Sequence, residues 1–151
     1  MADRWPIVLI VEDSDEDYEA TIRALRRPVV RVSYQRCVHG DDALEYLYHT
    51  GKYDTNGSAA RPALILLDLN MPGMGGQAVL EQIKQDHALK SIPIIILSTS
   101  ADPKDIEDCY QHGVNSYLIK PVNYQKFRVS MQSVYEFWLE VVTLPEVSEQ
   151  L

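Results

Sequence analysis

An α/β fold, a doubly wound parallel sheet of five strands with helices on both faces, is the architecture this sequence predicts. Short apolar runs alternate with amphipathic helical segments from one end of the chain to the other. Several of the runs are apolar at every position, as strands covered on both faces must be. At 151 residues, 46% hydrophobic and 24% charged, the chain has the size and composition of one globular domain able to bury a real core.

The first strand is Ile7 to Val11. Ser14 caps the helix after it: Tyr18, Ile22 and Leu25 recur at helical spacing, Asp15, Glu16 and Asp17 fill the first turn, and Arg23, Arg26 and Arg27 the last, matching the macrodipole. Pro28 stops it. Residues 29–38 read as a second strand whose mixed polarity suits an edge, and Gly40 opens a short helix carrying Ala43, Leu44 and Leu47 that Gly51 ends. Residues 51–62 lack any period and hold Asn56-Gly57, which makes them the longest surface loop.

A buried third strand, 63–67, ends in Asp68; a Pro/Gly-rich loop follows, then a helix with Val79, Leu80 and Ile83 facing inward. The fourth strand is 93–97. Pro103 suits the first turn of the next helix, whose apolar stripe is Ile106, Cys109 and Tyr110 and whose cap is Gly113. Ser116 to Ile119 is the fifth strand. The last helix, about 124–142, carries one stripe of Phe127, Met131, Val134, Trp138 and Val141 and a second of Tyr135, Leu139 and Val142. That is wider than one sheet face requires and predicts contact with another subunit, a tail folded back on its own domain being the alternative. One domain is expected, with a core of about residues 6–140, a tail of about 141–151 and no separate output module.

With 22 acidic against 14 basic residues, the net charge of −8 opposes direct binding to nucleic acid or to anionic membranes. No apolar run approaches the ~20 residues that span a bilayer. Glu12 and Asp13 cut the N-terminal apolar run with no cleavage pattern after it, so a cytoplasmic protein is expected. Cys37 and Cys109 are too few for a disulfide framework and read as reduced, buried thiols. His39, His49, His87 and His112 sit at element ends where solvent exposure accounts for them, and Arg23, Arg26, Arg27 and Arg31 read as a solvated helix end.

Ligands of an open parallel sheet bind beyond the carboxyl ends of its strands, where the strand order reverses. Those ends carry Glu12 and Asp13, then Asp68, then Ser98 and Thr99, then Lys120. At ~5 Å and an effective dielectric of ~20 each pair of carboxylates repels by about 3 kcal/mol, so the three acids call for more cation than one lysine. Mg2+ suits them: it takes one or two carboxylates, keeps waters and draws its other ligands from phosphate oxygens. Asp68 then reads as a nucleophile toward phosphorus, with Lys120 neutralising phosphoryl oxygens and a Ser98 or Thr99 hydroxyl donating to them.

The elements VEDS at 11–14, LLDLNMPGMGG at 66–76, LSTS at 97–100 and YLIKP at 117–121 resemble, in order and spacing, the receiver domain of two-component response regulators. The long second loop and the aromatic last helix are further similar to the single-domain regulators paired with cyanobacterial phytochromes. The resemblance implies a flavodoxin-like strand order 2-1-3-4-5, Asp68 as phosphoacceptor, Asp13 and the Asn70 carbonyl as direct Mg2+ ligands, and Glu12 holding a metal-bound water. It implies Lys120 on the phosphoryl group before a cis bond to Pro121, and Ser98 and Tyr117 as the switch pair. Thr99 stands where the family more often has alanine and could share the switch role, and Gly75 replaces a common acidic residue.

The partner implied is a sensor histidine kinase, a phytochrome in that subfamily, and the face implied for output and homodimerisation is the fourth helix, fifth strand and last helix. Two alternatives stay open. One is a Mg2+-dependent phosphohydrolase with an aspartate nucleophile, which commonly needs a second aspartate where this chain has Asn70. The other is a scaffold or constitutive dimer indifferent to phosphate.

Overall fold

The computed structural model describes residues 5–29, 31–54 and 60–145. In chain order it contains β1 (Ile7–Val11), α1 (Asp15–Leu25), β2 (Ser33–Cys37), α2 (Gly40–Tyr48), a 3-10 turn (Gly51–Tyr53), β3 (Leu64–Asp68) and α3 (Gly76–Gln85). Then come β4 (Ile94–Ser98), α4 (Pro103–Gln111), β5 (Ser116–Ile119), α5 (Tyr124–Tyr135) and a π-helical segment (Glu136–Val141). The strands are all parallel, in the order β2-β1-β3-β4-β5. Strand order therefore reverses between β1 and β3, which opens the crevice at their carboxyl ends.

Period-2 alternation sorts each central strand onto two cores. Leu9, Val11, Ile65, Leu67, Ile94 and Ile96 meet Ala43, Leu47, Val79, Leu80, Ile83 and Cys109 from α2, α3 and α4. On the other face Val8, Ile10, Leu64, Leu66, Ile95 and Leu97 meet Ala24 and Leu25 of α1 and Phe127, Met131 and Val134 of α5. Both faces are sealed, which is why these runs are apolar throughout. Each of three helices starts on a side chain that accepts from its first turn: Ser14 from the Asp17 amide at 3.2 Å, Asp102 from Lys104 at 3.0 Å, and Asn123 from Gln125 at 2.8 Å. Both thiols are buried and unpaired, and burial pushes Cys37 up to about 12, so it stays an inert thiol.

Several expected boundaries differ. The second strand is only Ser33–Cys37, because its ladder runs from Ile7↔Ser33 to Val11↔Cys37 and β1 offers nothing beyond. The third and fourth strands end one residue later than expected, so Asp68 and Ser98 are themselves the last strand residues and not loop residues. Gly51 does not end α2; His49 does, in the left-handed region at φ 56°, while Gly51 opens the 3-10 turn. Residues 55–59 of the second loop, including Asn56-Gly57, and residues 146–151 of the tail lie outside the described residues.

Tyr110, expected in the apolar stripe of α4, is 49% exposed, and its hydroxyl accepts from the Tyr117 amide at 3.2 Å on the outer edge of β5. The last helix leaves α-helical winding after Tyr135. The π turns, closed by the Val142 amide on the Phe137 carbonyl at 2.9 Å, add a residue per turn and rotate the second half of the predicted stripe out of line. Met131 and Val134 are buried, Trp138 is half-buried, and Val141 is 71% exposed. No cis peptide occurs among the described residues, so the Lys120–Pro121 bond is trans, the isomer X–Pro bonds intrinsically favour.

Candidate functional site

The sheet brings the predicted strand-end residues together. Glu12, Asp13 and Asp68 each present a carboxylate oxygen, all within 4.8 Å of one another, in a pocket where Glu12 and Asp68 are buried and Asp13 half-buried. The Lys120 ammonium lies 2.8 Å from Glu12 Oε1, 3.4 Å from Asp17 Oδ2 and 3.7 Å from Asp68 Oδ1. Three carboxylates face one half-buried lysine, so charge is left uncompensated and the donors are hard oxygens. The set fits a divalent metal ion.

Backbone geometry explains the convergence. Glu12 follows β1 and is held to β2 by its amide on the Cys37 carbonyl at 3.0 Å. Asp68 ends β3, where the Asn70 amide donates to its Oδ1 at 3.2 Å, and the Gly76 amide closes the loop by donating to the Leu69 carbonyl at 3.0 Å. Gly76 is required there: a Cβ would stand 2.3 Å from the Asp68 carbonyl oxygen and 2.7 Å from Leu69 Cα. Lys120 is set by its own amide on the Ser98 carbonyl.

Of the two candidate hydroxyls, Ser98 is fully buried beside this loop and Thr99 is exposed. Ser98 Oγ accepts from Asn70 Nδ2 at 3.3 Å and from the Ser100 amide at 3.0 Å, which leaves its own proton free to donate. Tyr117 is half-buried with its hydroxyl donating to the Ser100 carbonyl at 2.8 Å. Ser100, which the sequence reading passed over, thus stands between Ser98 and Tyr117, and its hydroxyl also reaches Asp105 of α4 at 2.6 Å.

Asp17 and Arg36 are further residues that sequence reasoning did not place at the site. Asp17 was legible only as a macrodipole charge, although the first turn of α1 has to face the strand ends. For Arg36 the one usable signal was parity: with Cys37 inward, its neighbour on β2 must emerge on the α1 face.

Burial pushes the Glu12 carboxyl up to about 7, with Asp68 adding to the rise and Lys120 opposing it. For Lys120 burial acts against the charge, but the bond to Glu12 and the fields of Asp68 and Asp17 outweigh it and hold the ammonium above its ordinary range. Because the folded Glu12 holds its proton more tightly than the unfolded one, its contribution to metal-free stability is full below pH 4.5 and is lost as pH rises through about 7. A metal ion must displace that proton. Divalent-cation affinity is therefore expected to rise with pH up to about 7 and then level off, measured by calorimetric Mg2+ titration of the full chain. A pH-independent affinity would show that Glu12 does not titrate in the site.

The response regulator receiver domain family matches residues 8–132. Response regulator Rcp1 of Synechocystis sp. is 37% identical over 139 residues, covering 92% of each chain. Among solved structures, the phosphorylated cyanobacterial phytochrome response regulator RcpA matches with a TM-score of 0.88 at 37% identity, over 95% of this chain and 100% of that one. The Mn2+-bound form of Rcp1 matches with a TM-score of 0.87 at 37% identity, over 93% and 99%. These relatives are signalling regulators, and the strand order and helix placement found here are theirs. The chain belongs to the response regulator receiver domain family.

Proposed function

We propose that this protein is the phosphoacceptor of a two-component system, taking a phosphoryl group from a sensor histidine kinase onto Asp68 with Mg2+ held by Glu12, Asp13, Asp68 and the Asn70 carbonyl. The observation that carries the reading is the half-buried Lys120 ammonium lying between Glu12 and Asp68 at the lip of a three-carboxylate cluster. Similarity to the regulators named for cyanobacterial phytochromes favours a phytochrome as the kinase.

In the transfer, an Asp68 oxygen forms the new P–O bond as the P–N bond to the kinase histidine breaks, and the imidazole nitrogen leaves with the electron pair. Mg2+ would supply charge neutralisation at the phosphoryl oxygens. Lys120 neutralises a further oxygen, and Ser98 donates its free proton to another. Drawing Ser98 and the 98–100 segment toward the phosphoryl group pulls on the Ser100 carbonyl, and so on Tyr117, biasing the face of α4, β5 and α5. The reaction is a single self-modification, and Asn70 gives no general acid for the turnover a phosphohydrolase needs. In this reading the chain works in the cytoplasm as one receiver domain and signals by protein contact. Among the described residues no helix is long and apolar enough to cross a membrane.

Incubation with Mg2+ and a small phosphodonor is expected to give one phosphoryl adduct by intact mass and none after chelation. Absence of an adduct in Mg2+ would overturn the reading.

The π-helical segment that continues α5 supports the homodimer, which we also propose. Phe137 is 50% exposed and stacks edge-on against Trp138 with ring centroids 5.4 Å apart, while Trp138 turns partly into its own core. Phe137 is therefore the better probe. Light scattering across protein concentration is expected to find a dimer that Phe137→Ala shifts toward monomer; a wild-type monomer at every concentration would refute it.

A further inference from the structure

Asp13 is the one member of the acid cluster whose carboxylate has no hydrogen-bond or ion-pair partner among the described residues. Glu12 is tied to Lys120 and to the Ser14 amide, and Asp68 to Lys120 and the Asn70 amide. A ligand with no partner of its own is aimed through its backbone, and one side chain holds the chain on both sides of it, by the backbone carbonyl before and by a side-chain carboxylate after. Arg36, on edge strand β2, donates from Nε and from Nη2 to the Glu12 carbonyl oxygen, each at 3.1 Å. Its third nitrogen, Nη1, donates to Asp15 Oδ1 at 2.7 Å. The guanidinium also lies over the Tyr18 ring, 4.7 Å from the centroid, so the fork is itself held in place by the first helical turn.

We infer that Arg36 is a positioning residue for the metal-binding loop: its planar fork bridges Glu12, one residue before Asp13, and Asp15, two residues after, and thereby fixes where the Asp13 carboxylate points. The inference rests on the proposed Mg2+ site. The fork geometry matters, because three donors in one plane reach the carbonyl and the carboxylate at once, which a lysine ammonium at the end of a flexible stem cannot reproduce. It also makes β2, an edge strand that contributes no ligand, part of the site.

The sign of the effect separates positioning from charge. Deleting a cation close to a cation site removes repulsion, so charge alone predicts that Arg36→Ala binds Mg2+ more tightly and that Arg36→Lys binds it unchanged. Positioning predicts the opposite: outer-shell partners of metal ligands typically contribute about 10–100-fold to affinity. The test is calorimetric titration of Mg2+ alone into the full chain for wild type, Arg36→Ala and Arg36→Lys, with folding checked by circular dichroism. The expected result is at least about tenfold weaker binding for both variants, with the phosphoryl adduct recovered at saturating Mg2+. Arg36→Lys keeps the charge and serves as the decisive variant if Arg36→Ala does not fold. Unchanged or tighter binding by the folded variants overturns the role of Arg36 and leaves the metal site standing, whereas a wild type that binds no Mg2+ overturns both.

Discussion

Asp68→Asn is expected to lose the phosphoryl adduct completely while the fold is retained. The amide has no anionic oxygen to attack phosphorus, and no other carboxylate of the cluster occupies the same place. Asp68 ends its strand with its side chain fixed by the Asn70 amide and faced by Lys120, whereas Asp13 lies across the cleft on a loop. The effect on stability has the opposite sign to the effect on activity. Removing one of three carboxylates that lie within 4.8 Å of one another relieves repulsion, so the metal-free variant should melt no lower than wild type. Mg2+ should raise its melting temperature less than that of wild type, since a ligand charge is gone. An adduct of equal yield on Asp68→Asn would sink the assignment and make Asp13 the next nucleophile to test.

The second large effect concerns a residue with no chemistry at all. Gly76→Ala would put a methyl group 2.3 Å from the Asp68 carbonyl oxygen and 2.7 Å from Leu69 Cα. Both neighbours are backbone, so no side-chain rotation can make room, and either α3 or the end of β3 must move. The expected cost is about 3 kcal/mol, the upper range for overpacking. For a domain of this size that corresponds to a melting temperature lower by roughly 6–12 °C. The adjacent Gly75→Ala is the internal control. Its Cβ would meet only the Leu69 carbonyl oxygen at 3.7 Å and its φ of −73° suits any residue, so the change should cost no more than about 1 kcal/mol, the loss of a favoured N-cap residue partly offset in the unfolded chain. Thermal melts of the two variants decide the matter: equal melting temperatures would mean that α3 does not press on the strand that ends in Asp68.

How far the sequence could be read depended on the range of the interaction. The five strands, their order of appearance, the cap at Ser14 and the first-turn proline at Pro103 were legible because they follow from alternation and from residues within a turn of each other. The acids, Ser98 and Lys120 were legible because a parallel sheet presents the ends of its strands at one edge, so a list of strand ends is already a list of neighbours. What was hidden depends on partners distant in the chain or on backbone phase. Arg36 meets Glu12 across 24 residues and carries no pattern of its own. Tyr110 has the spacing of a core residue, yet a phenol can satisfy its oxygen on the strand edge and leave the ring in water. The winding of the last helix changed where apolar periodicity continued, and periodicity read at 3.6 residues per turn cannot register that.

The hydrogen bond from the Tyr117 amide to the Tyr110 hydroxyl bears on the behaviour of this protein at high concentration. A strand at the margin of a sheet is a template on which another chain can add a strand of its own, the first step toward uncontrolled aggregation. β5 has only four residues, Ser116–Ile119, and the alternation of its amides turns those of Tyr117 and Ile119 outward. One of the two is stoppered by a phenol from the neighbouring helix, and the next residue after Lys120 is Pro121, which has no amide proton to give. On the face proposed for signalling, sheet extension along β5 is thereby reduced to the single Ile119 amide, and a protein that docks there is left to do so mainly through side chains.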